Sequence, residues 1–433
     1  MGVLETRNLD FDHVLVLSCN EGNMPKGVND TSFIPYAVRK AFGLTTIDNK
    51  VAIYAYYFHS LLQRATDITL TYNKATSKTA TGEMSRFMLQ LMVESGQNIH
   101  FKNLNASQNP LQSIKKPIVK SQEVMRNIYQ TDCLSPTAIT TYLRCQMRFY
   151  YRYIAGIKEP DNEEDEIDNR IFGNIFHRAA ELFYESKCNK DIVQKQDIIN
   201  ALKDKSLLPR IIEEAFREKL FNVKDDKNIT YNGLQIINRQ VIIEYIKRLL
   251  AIDQKLTPFS ILGLEKPIEM PFDINTQEGL KQISLFGNID RIDKIDENGS
   301  TCIRVVDYKT GSNDKTSIKS VDDIFNPEKI ESHSDYYLQA LLYSIMLYNN
   351  RNLNPNHLPV SPALLFIQHA TGDDYTPILK FGKDIITDVS IYTEDFLSKL
   401  KELIEDIFNP NIAFNPTENT KRCQYCPYRE ICG

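Results

Sequence analysis

The stretch LFGNIDRIDKIDENGSTCIRVVDYKTG, residues 285–311, constrains the fold more than any other part of this chain. Asn298-Gly299 is the pair favoured in a two-residue type I′ hairpin turn, where both central positions need positive φ. On that turn Glu297 faces Ser300, and counting back along both strands sets Asp290 opposite Asp307. Side chains alternate faces along a strand. Asp307 and Lys309 therefore share a face with Val305, while Val306 and Tyr308 point the other way. Two carboxylates opposed across a ladder repel, so a cation belongs between them. It is either Lys309, in an ion pair on a solvated face, or a divalent ion. A hard ion such as Mg²⁺ or Mn²⁺ takes carboxylate oxygens and is often shared with substrate phosphates. Lys309 would then orient the attacking water or offset charge on the phosphate.

A chain of 433 residues is too long for one core and implies two or three domains. Residues 13–19 (HVLVLSC) read as a strand, AYYFHSLLQRA as a helix and DITLTYN as a second strand, a piece of parallel α/β sheet. The polar, proline-containing stretch 103–117 reads as linker. Beyond it, SPTAITTYLRCQMRFYYRYI opens on a capping serine and reads as one aromatic-rich helix. DNEEDEID, 161–168, reads as a solvated loop, and strands cluster from 260 to 310 between helical segments. No apolar run approaches the ~18 residues that cross a bilayer, and the N-terminus is acidic where a signal peptide is apolar. These features predict a cytoplasmic protein without membrane contact. The first 120 residues hold 13 Lys/Arg against 9 Asp/Glu, whereas the remainder is acidic, within a net charge of −5. That balance argues against simple coating of nucleic acid, and it allows a local basic groove around an acidic site.

Three of the eight cysteines, Cys423, Cys426 and Cys432, fall in the last eleven residues as C-x₂-C-x₅-C. An intracellular chain keeps its thiols reduced, and three thiolates so close imply a metal or cluster that needs a fourth ligand. Cys145 is the candidate. The spacing suits zinc and an iron–sulfur cluster equally.

GNIDRID followed by VVDYKTG resembles the RecB-like branch of the PD-(D/E)XK nuclease superfamily. Gly173 and His177 match that branch's G-x-x-x-H helix, and Gln339 and Tyr343 its Q-x-x-x-Y helix, in the family's order. The resemblance implies that His177, Asp290, Asp307 and the backbone carbonyl of Tyr308 bind a catalytic Mg²⁺ or Mn²⁺, with Lys309 as the catalytic lysine. It also implies that Gln339 and Tyr343, on one helical face, position the DNA strand. Read without it, His177 is a histidine packed beside Phe176 and Phe183, and Tyr343 is core. Arg291 and Asp293 read as structural neighbours. One early and three terminal cysteines resemble the iron–sulfur staple of AddB-type nuclease subunits, which favours [4Fe–4S] over zinc on Cys145, Cys423, Cys426 and Cys432. Here Gln146 follows Cys145 where that family has proline. Residues 1–105 resemble the end of a helicase second motor domain, with Glu5 and Arg7 in a late motif. Arg64 stands where an arginine finger would be, or is a surface arginine. No G-x-x-x-x-G-K-[ST] occurs, so no ATPase activity is expected of this chain alone.

The expected architecture is α/β: a partial helicase-like segment over 1–105, a linker over 106–132 and a restriction-endonuclease-like domain over 133–433, a mixed sheet flanked by helices. The expected function is that of a metal-dependent DNA nuclease, exonucleolytic, in the C-terminal part of a helicase–nuclease subunit acting with a partner on double-strand-break ends. The alternatives are a non-catalytic DNA-binding scaffold and a stand-alone single-strand exonuclease.

Overall fold

The computed structural model describes residues 2–3, 5–26, 34–74, 82–103, 116–158, 167–188, 190–221, 223, 231–297, 299–311, 318–368 and 375–432. Residues 106–115 of the predicted 106–132 linker, most of the acidic 161–168 loop and Asn298 of the predicted turn lie outside the described residues, while Gln122–Tyr129 of that linker form a helix whose Ile128 is buried in the core. The chain forms two compact units, residues 1–109 and 110–433.

In the first unit β1 (His13–Val16) pairs in parallel with β2 (Asp67–Leu70). The helices α1 (Tyr36–Ala41), α2 (Ile47–Leu62) and α3 (Arg86–Glu94) accompany them. Thr46 and Asn49 close a capping box at the start of α2, which sets where that helix begins. Val14 and Val16 pack with Phe58 and Leu61 of α2 and Phe87 of α3. The strand–helix–strand order expected from the apolar pattern is the one observed.

The second unit is built on a sheet of order β4-β5-β6-β7-β8, formed by Ile192–Val193, Phe259–Thr276, Gly279–Glu297, Ser300–Lys309 and Val360–Phe366. Pairing is antiparallel from β4 to β7 and parallel between β7 and β8, and β3 (Cys133–Leu134) adds in parallel to β6. A mixed sheet of this kind needs helices on both faces. One face is covered by α4 (Gln122–Tyr129), α5 (Pro136–Arg144), α12 (Ser334–Asn349) and α13 (Ser390–Phe408). The other face is covered by α7 (Asn169–Tyr184), α8 (Lys195–Lys203), α9 (Leu207–Lys219) and α10 (Gly233–Leu256). Short α6 (Gln146–Phe149), α11 (Val321–Phe325) and α14 (Arg429–Cys432) and the small β9–β10 pair (Lys380–Phe381, Asp384–Ile385) complete the unit. Val305 enters the first core while Val306 and Tyr308 enter the second, which is the strand alternation at work.

Two departures from the sequence expectation shape the site. The β6–β7 register does run from Glu297–Ser300 to Arg291–Val306, but the backbone pairing ends there. Asp290 and Asp307 lie just past the ladder, freeing Tyr308 N–H to donate to the Asp290 carboxylate at 2.7 Å. The predicted single aromatic helix is broken at Cys145, whose extended backbone (φ −165°, ψ 112°) ends α5 and starts α6. A π-helical turn, Tyr150–Ile154, follows. Ser135 caps α5 by accepting from Ala138 N–H at 3.2 Å, with Pro136 in the first turn.

Gly287 in β6 is required by α12. A Cβ there would lie 2.8 Å from Cζ and Oη of buried Tyr343, so only glycine lets the helix approach the sheet this closely.

Candidate active site

Five elements, α7, β5, β6, β7 and α12, converge where the β6–β7 ladder stops. From α7, capped by Asp168 accepting from Ile171 N–H at 2.7 Å, comes His177. Its Nδ1 is 3.3 Å from Asp290 Oδ1 and 3.4 Å from Glu265 Oε1. These three residues offer ligand atoms within 4.8 Å of one another, and among the described residues no other such group of His, Cys, Asp or Glu occurs. Glu265 sits in β5 between the Leu264–Arg291 and Lys266–Ile289 pairs, opposite Asp290, with a positive φ of 41°. Asn288 donates to its other oxygen. A left-handed glutamate inside a strand persists only when its surroundings hold it, and here His177 and Asn288 do.

On the α12 side of the sheet, Lys309 Nζ is 2.7 Å from Asp307 Oδ2. Gln339 bridges the pair: its Nε2 donates to Asp307 Oδ1 at 2.9 Å, and its Oε1 accepts from Lys309 Nζ at 3.0 Å. Tyr343, one turn on, is buried beneath Gln339. The side chain of Tyr308 points to the opposite core, edge-on to Phe176 and to His177, each at 5.8 Å. The site thus has an imidazole–carboxylate half and a carboxylate–ammonium half, joined through the Tyr308 backbone.

The charges are strongly interdependent. Burial alone would depress the His177 imidazolium, but the Asp290 and Glu265 carboxylates outweigh it and raise its pKa to about 10. Burial pushes Asp290 up, yet His177, the Tyr308 N–H and Lys309 together hold it below the usual carboxylate range. Asp307 goes the other way, to about 6, because burial and the Asp290 charge exceed the help from Lys309. Burial would lower Lys309, and Asp307 and Asp290 instead keep its ammonium above the usual lysine value. One imidazole nitrogen with carboxylate oxygens is a donor set suited to a hard divalent ion. Asp307, which two neighbouring charges raise and lower in opposition, is the group such an ion would relieve most.

The family profile described as PD-(D/E)XK nuclease superfamily matches residues 133–433. The chain belongs to the PD-(D/E)XK nuclease superfamily. Its relatives include bacterial proteins named as one subunit of an ATP-dependent helicase/deoxyribonuclease. That of Clostridium acetobutylicum is 26% identical over 288 residues, covering 62% of this chain and 21% of the relative. Those of Carboxydothermus hydrogenoformans and Clostridium perfringens are each 26% identical, over 256 and 299 residues, covering 57% and 65% of this chain. The chain spans only 21% and 23% of the length of these two relatives.

Behind the acidic centre of this PD-(D/E)XK domain lies a buried ion network. Arg291, next to Asp290, donates to both oxygens of Asp253 in α10 at 2.7 and 2.8 Å and lies 3.0 Å from Asp293 Oδ1. Tyr184 of α7 donates to Asp253 at 2.6 Å, and Arg304 of β7 donates to Asp293 at 2.9 Å. The network ties the His177 helix to both strands that carry the aspartates. The motifs alone do not disclose Glu265. A signal for it exists, because counting back from the β5–β6 turn at Thr276–Gly279 places Glu265 opposite Asp290.

The four predicted cysteine ligands line one cavity, with Met147, Tyr151 and Tyr428 packed beside them. The break at Cys145 brings it there. Arg422, beside Cys423, donates to the Arg144 carbonyl at 3.0 Å and to the Pro327 carbonyl at 2.7 Å, holding the tail against the end of α5. In the first unit Arg64 is exposed and pairs with Asp10 at 2.6 Å. Arg7 lies over the Tyr57 ring at 5.1 Å, and Glu5 accepts from Gly2 N–H at 2.6 Å. No helix among the described residues is long and apolar enough to cross a membrane.

Proposed function

We propose that this chain is the metal-dependent deoxyribonuclease part of a helicase–nuclease that trims double-strand-break ends in recombinational repair, acting exonucleolytically with a partner subunit. The observation that carries this reading is the meeting of His177, Asp290, Asp307 and Lys309 where the β6–β7 ladder ends. An ion-pair scaffold would not need a histidine and a strained glutamate beside the second aspartate. The names of the relatives support the helicase–nuclease setting.

In this mechanism His177, Glu265, Asp290, Asp307 and the Tyr308 carbonyl would hold a Mg²⁺ or Mn²⁺ ion. Once bound, the ion supplies Lewis acidity at the scissile phosphate. Lys309 keeps its ammonium charged to orient the attacking water and offset charge developing on the phosphate oxygens. Gln339 locks Asp307 and Lys309 in register through its amide. Tyr343 is buried against Gly287, so it acts on the DNA strand through Gln339. Arg64 would act as an arginine finger only toward a nucleotide held by another chain segment, since this chain has no P-loop and hydrolyses no ATP by itself.

Cys145, Cys423, Cys426 and Cys432 would hold a [4Fe–4S] cluster, which would staple the tail to α5. That the four cysteines line one cavity supports a shared centre there, and the likeness to the staple of AddB-type subunits favours the cluster over zinc. Anaerobically purified protein should contain iron and sulfide. A colourless preparation with stoichiometric zinc overturns the cluster and leaves the nuclease reading standing.

The deciding experiment incubates the chain with end-labelled single- and double-stranded DNA, with and without Mg²⁺ or Mn²⁺, beside Asp307→Ala and Lys309→Ala. Metal-dependent degradation lost in both variants is expected. Equal degradation by wild type and both variants would refute the site. No degradation by a folded, cluster-loaded wild type, even with its partner subunit, would favour a scaffold.

A further inference from the structure

The ammonium of Lys309 has a third neighbour besides Asp307 and Gln339. Its Nζ lies 4.8 Å from the centre of the Tyr336 ring. Tyr336 is on α12, three residues before Gln339 and so on the same face of that helix. The ring is itself held in place. His333, in the left-handed conformation just before α12, stacks on it at 4.7 Å with planes 10° apart. Phe366 at the end of β8 packs against it at 5.9 Å.

The three contacts differ in what survives metal binding. An ion taking Asp307 oxygens competes with the ion pair to Lys309. Gln339 is bonded to the same Asp307, so its hold on Lys309 is shared with that carboxylate. The ring contact depends on neither. An aromatic face attracts a cation through its quadrupole and uses no acceptor lone pair. It therefore leaves the ammonium protons free for phosphate or water, whereas a third oxygen partner would consume one.

We propose that Tyr336 is a positioning residue for Lys309, its ring holding the ammonium in place while Asp307 is engaged by the ion. This rests on the nuclease reading above. A lysine ammonium is a point charge on a flexible stem, and loss of the ring leaves it free to swing. The contact is with the ring, so phenylalanine should replace tyrosine.

The test uses the 433-residue chain with end-labelled linear DNA and saturating Mn²⁺. Tyr336→Phe should cleave within about twofold of wild type, and Tyr336→Leu should lose about tenfold in kcat with KM and Mn²⁺ affinity unchanged. If Tyr336→Leu is unfolded at the assay temperature, Tyr336→Met takes its place. A urea-denaturation cycle with Lys309→Met reads the contact without any activity, and the Tyr336→Leu cost should shrink once the ammonium is gone. Cleavage by Tyr336→Leu at the wild-type rate overturns the inference alone, as does equal loss in Tyr336→Phe and Tyr336→Leu. Additive costs in the cycle also overturn it. A folded, cluster-loaded wild type that leaves DNA intact even with its partner subunit overturns the nuclease reading, and the positioning role falls with it even where the cycle reports a contact.

Discussion

Removing the Asp253 carboxylate should destabilise this protein more than almost any other single substitution. Asp253 and Arg291 are fully buried, and the carboxylate accepts both guanidinium bonds and the Tyr184 hydroxyl. The network holds Arg291 and Arg304 against Asp253 and Asp293, two charges of each sign. Asp253→Ala leaves two buried guanidinium groups sharing one carboxylate, and breaking a buried pair from one side costs about 3–5 kcal/mol. Adding Arg291→Met removes the surplus cation, and the remaining Arg304–Asp293 pair at 2.9 Å balances itself. The double variant should therefore be more stable than Asp253→Ala alone, losing about 2 kcal/mol in total. Urea denaturation followed by circular dichroism measures both. A loss under about 1 kcal/mol for Asp253→Ala, or additive losses in the double variant, would show that water or rearrangement already screens the network. Because Arg291 follows Asp290 and Tyr184 lies two turns beyond His177, the same variant should also weaken metal binding.

Glu265→Gln should lower Mn²⁺ affinity by about tenfold or more in calorimetry; unchanged affinity would remove Glu265 from the ligand set. Metal binding should strengthen with rising pH, because His177 (about 10) must lose its proton to ligate and Asp307 (about 6) must be ionised. At pH 8 close to one proton should be released per ion, seen as a dependence of the calorimetric heat on buffer ionisation enthalpy; no release refutes the His177 assignment. The stability signs follow from the same shifts. His177 contributes most below its ordinary pKa near 6.5 and loses that contribution as pH rises through about 10, whereas Asp307 costs stability as pH rises through about 6. Gly287→Ala should destabilise by about 1–3 kcal/mol through overlap with the Tyr343 ring, and a neutral result in thermal melts would mean α12 can withdraw freely.

Much of the fold was legible because it depends on local chemistry. Asn298-Gly299 and the period-two alternation suffice for the β6–β7 register, and the i, i+4 spacing of Gln339 and Tyr343 suffices for their common face. Glu265 belongs to none of the motifs, and although the register from the Thr276–Gly279 turn sets it opposite Asp290, nothing local marks its left-handed backbone or its contact with His177. The break at Cys145 was hidden as well. Its neighbours are ordinary helix formers, and the helix gives way where the C-terminal tail docks through Arg422.

The sequence by itself determined the candidate residues other than Glu265, because turn type, strand alternation and helical period act over a few residues. Only the tertiary structure decided how their charges are set. That Asp290 is held ionised while Asp307 is pushed up follows from burial and from neighbours contributed by α7, β5 and α12. Electrostatic energy depends on distance through a low-dielectric interior, and distances between residues far apart in the chain exist only once the sheet and its two helical layers have packed.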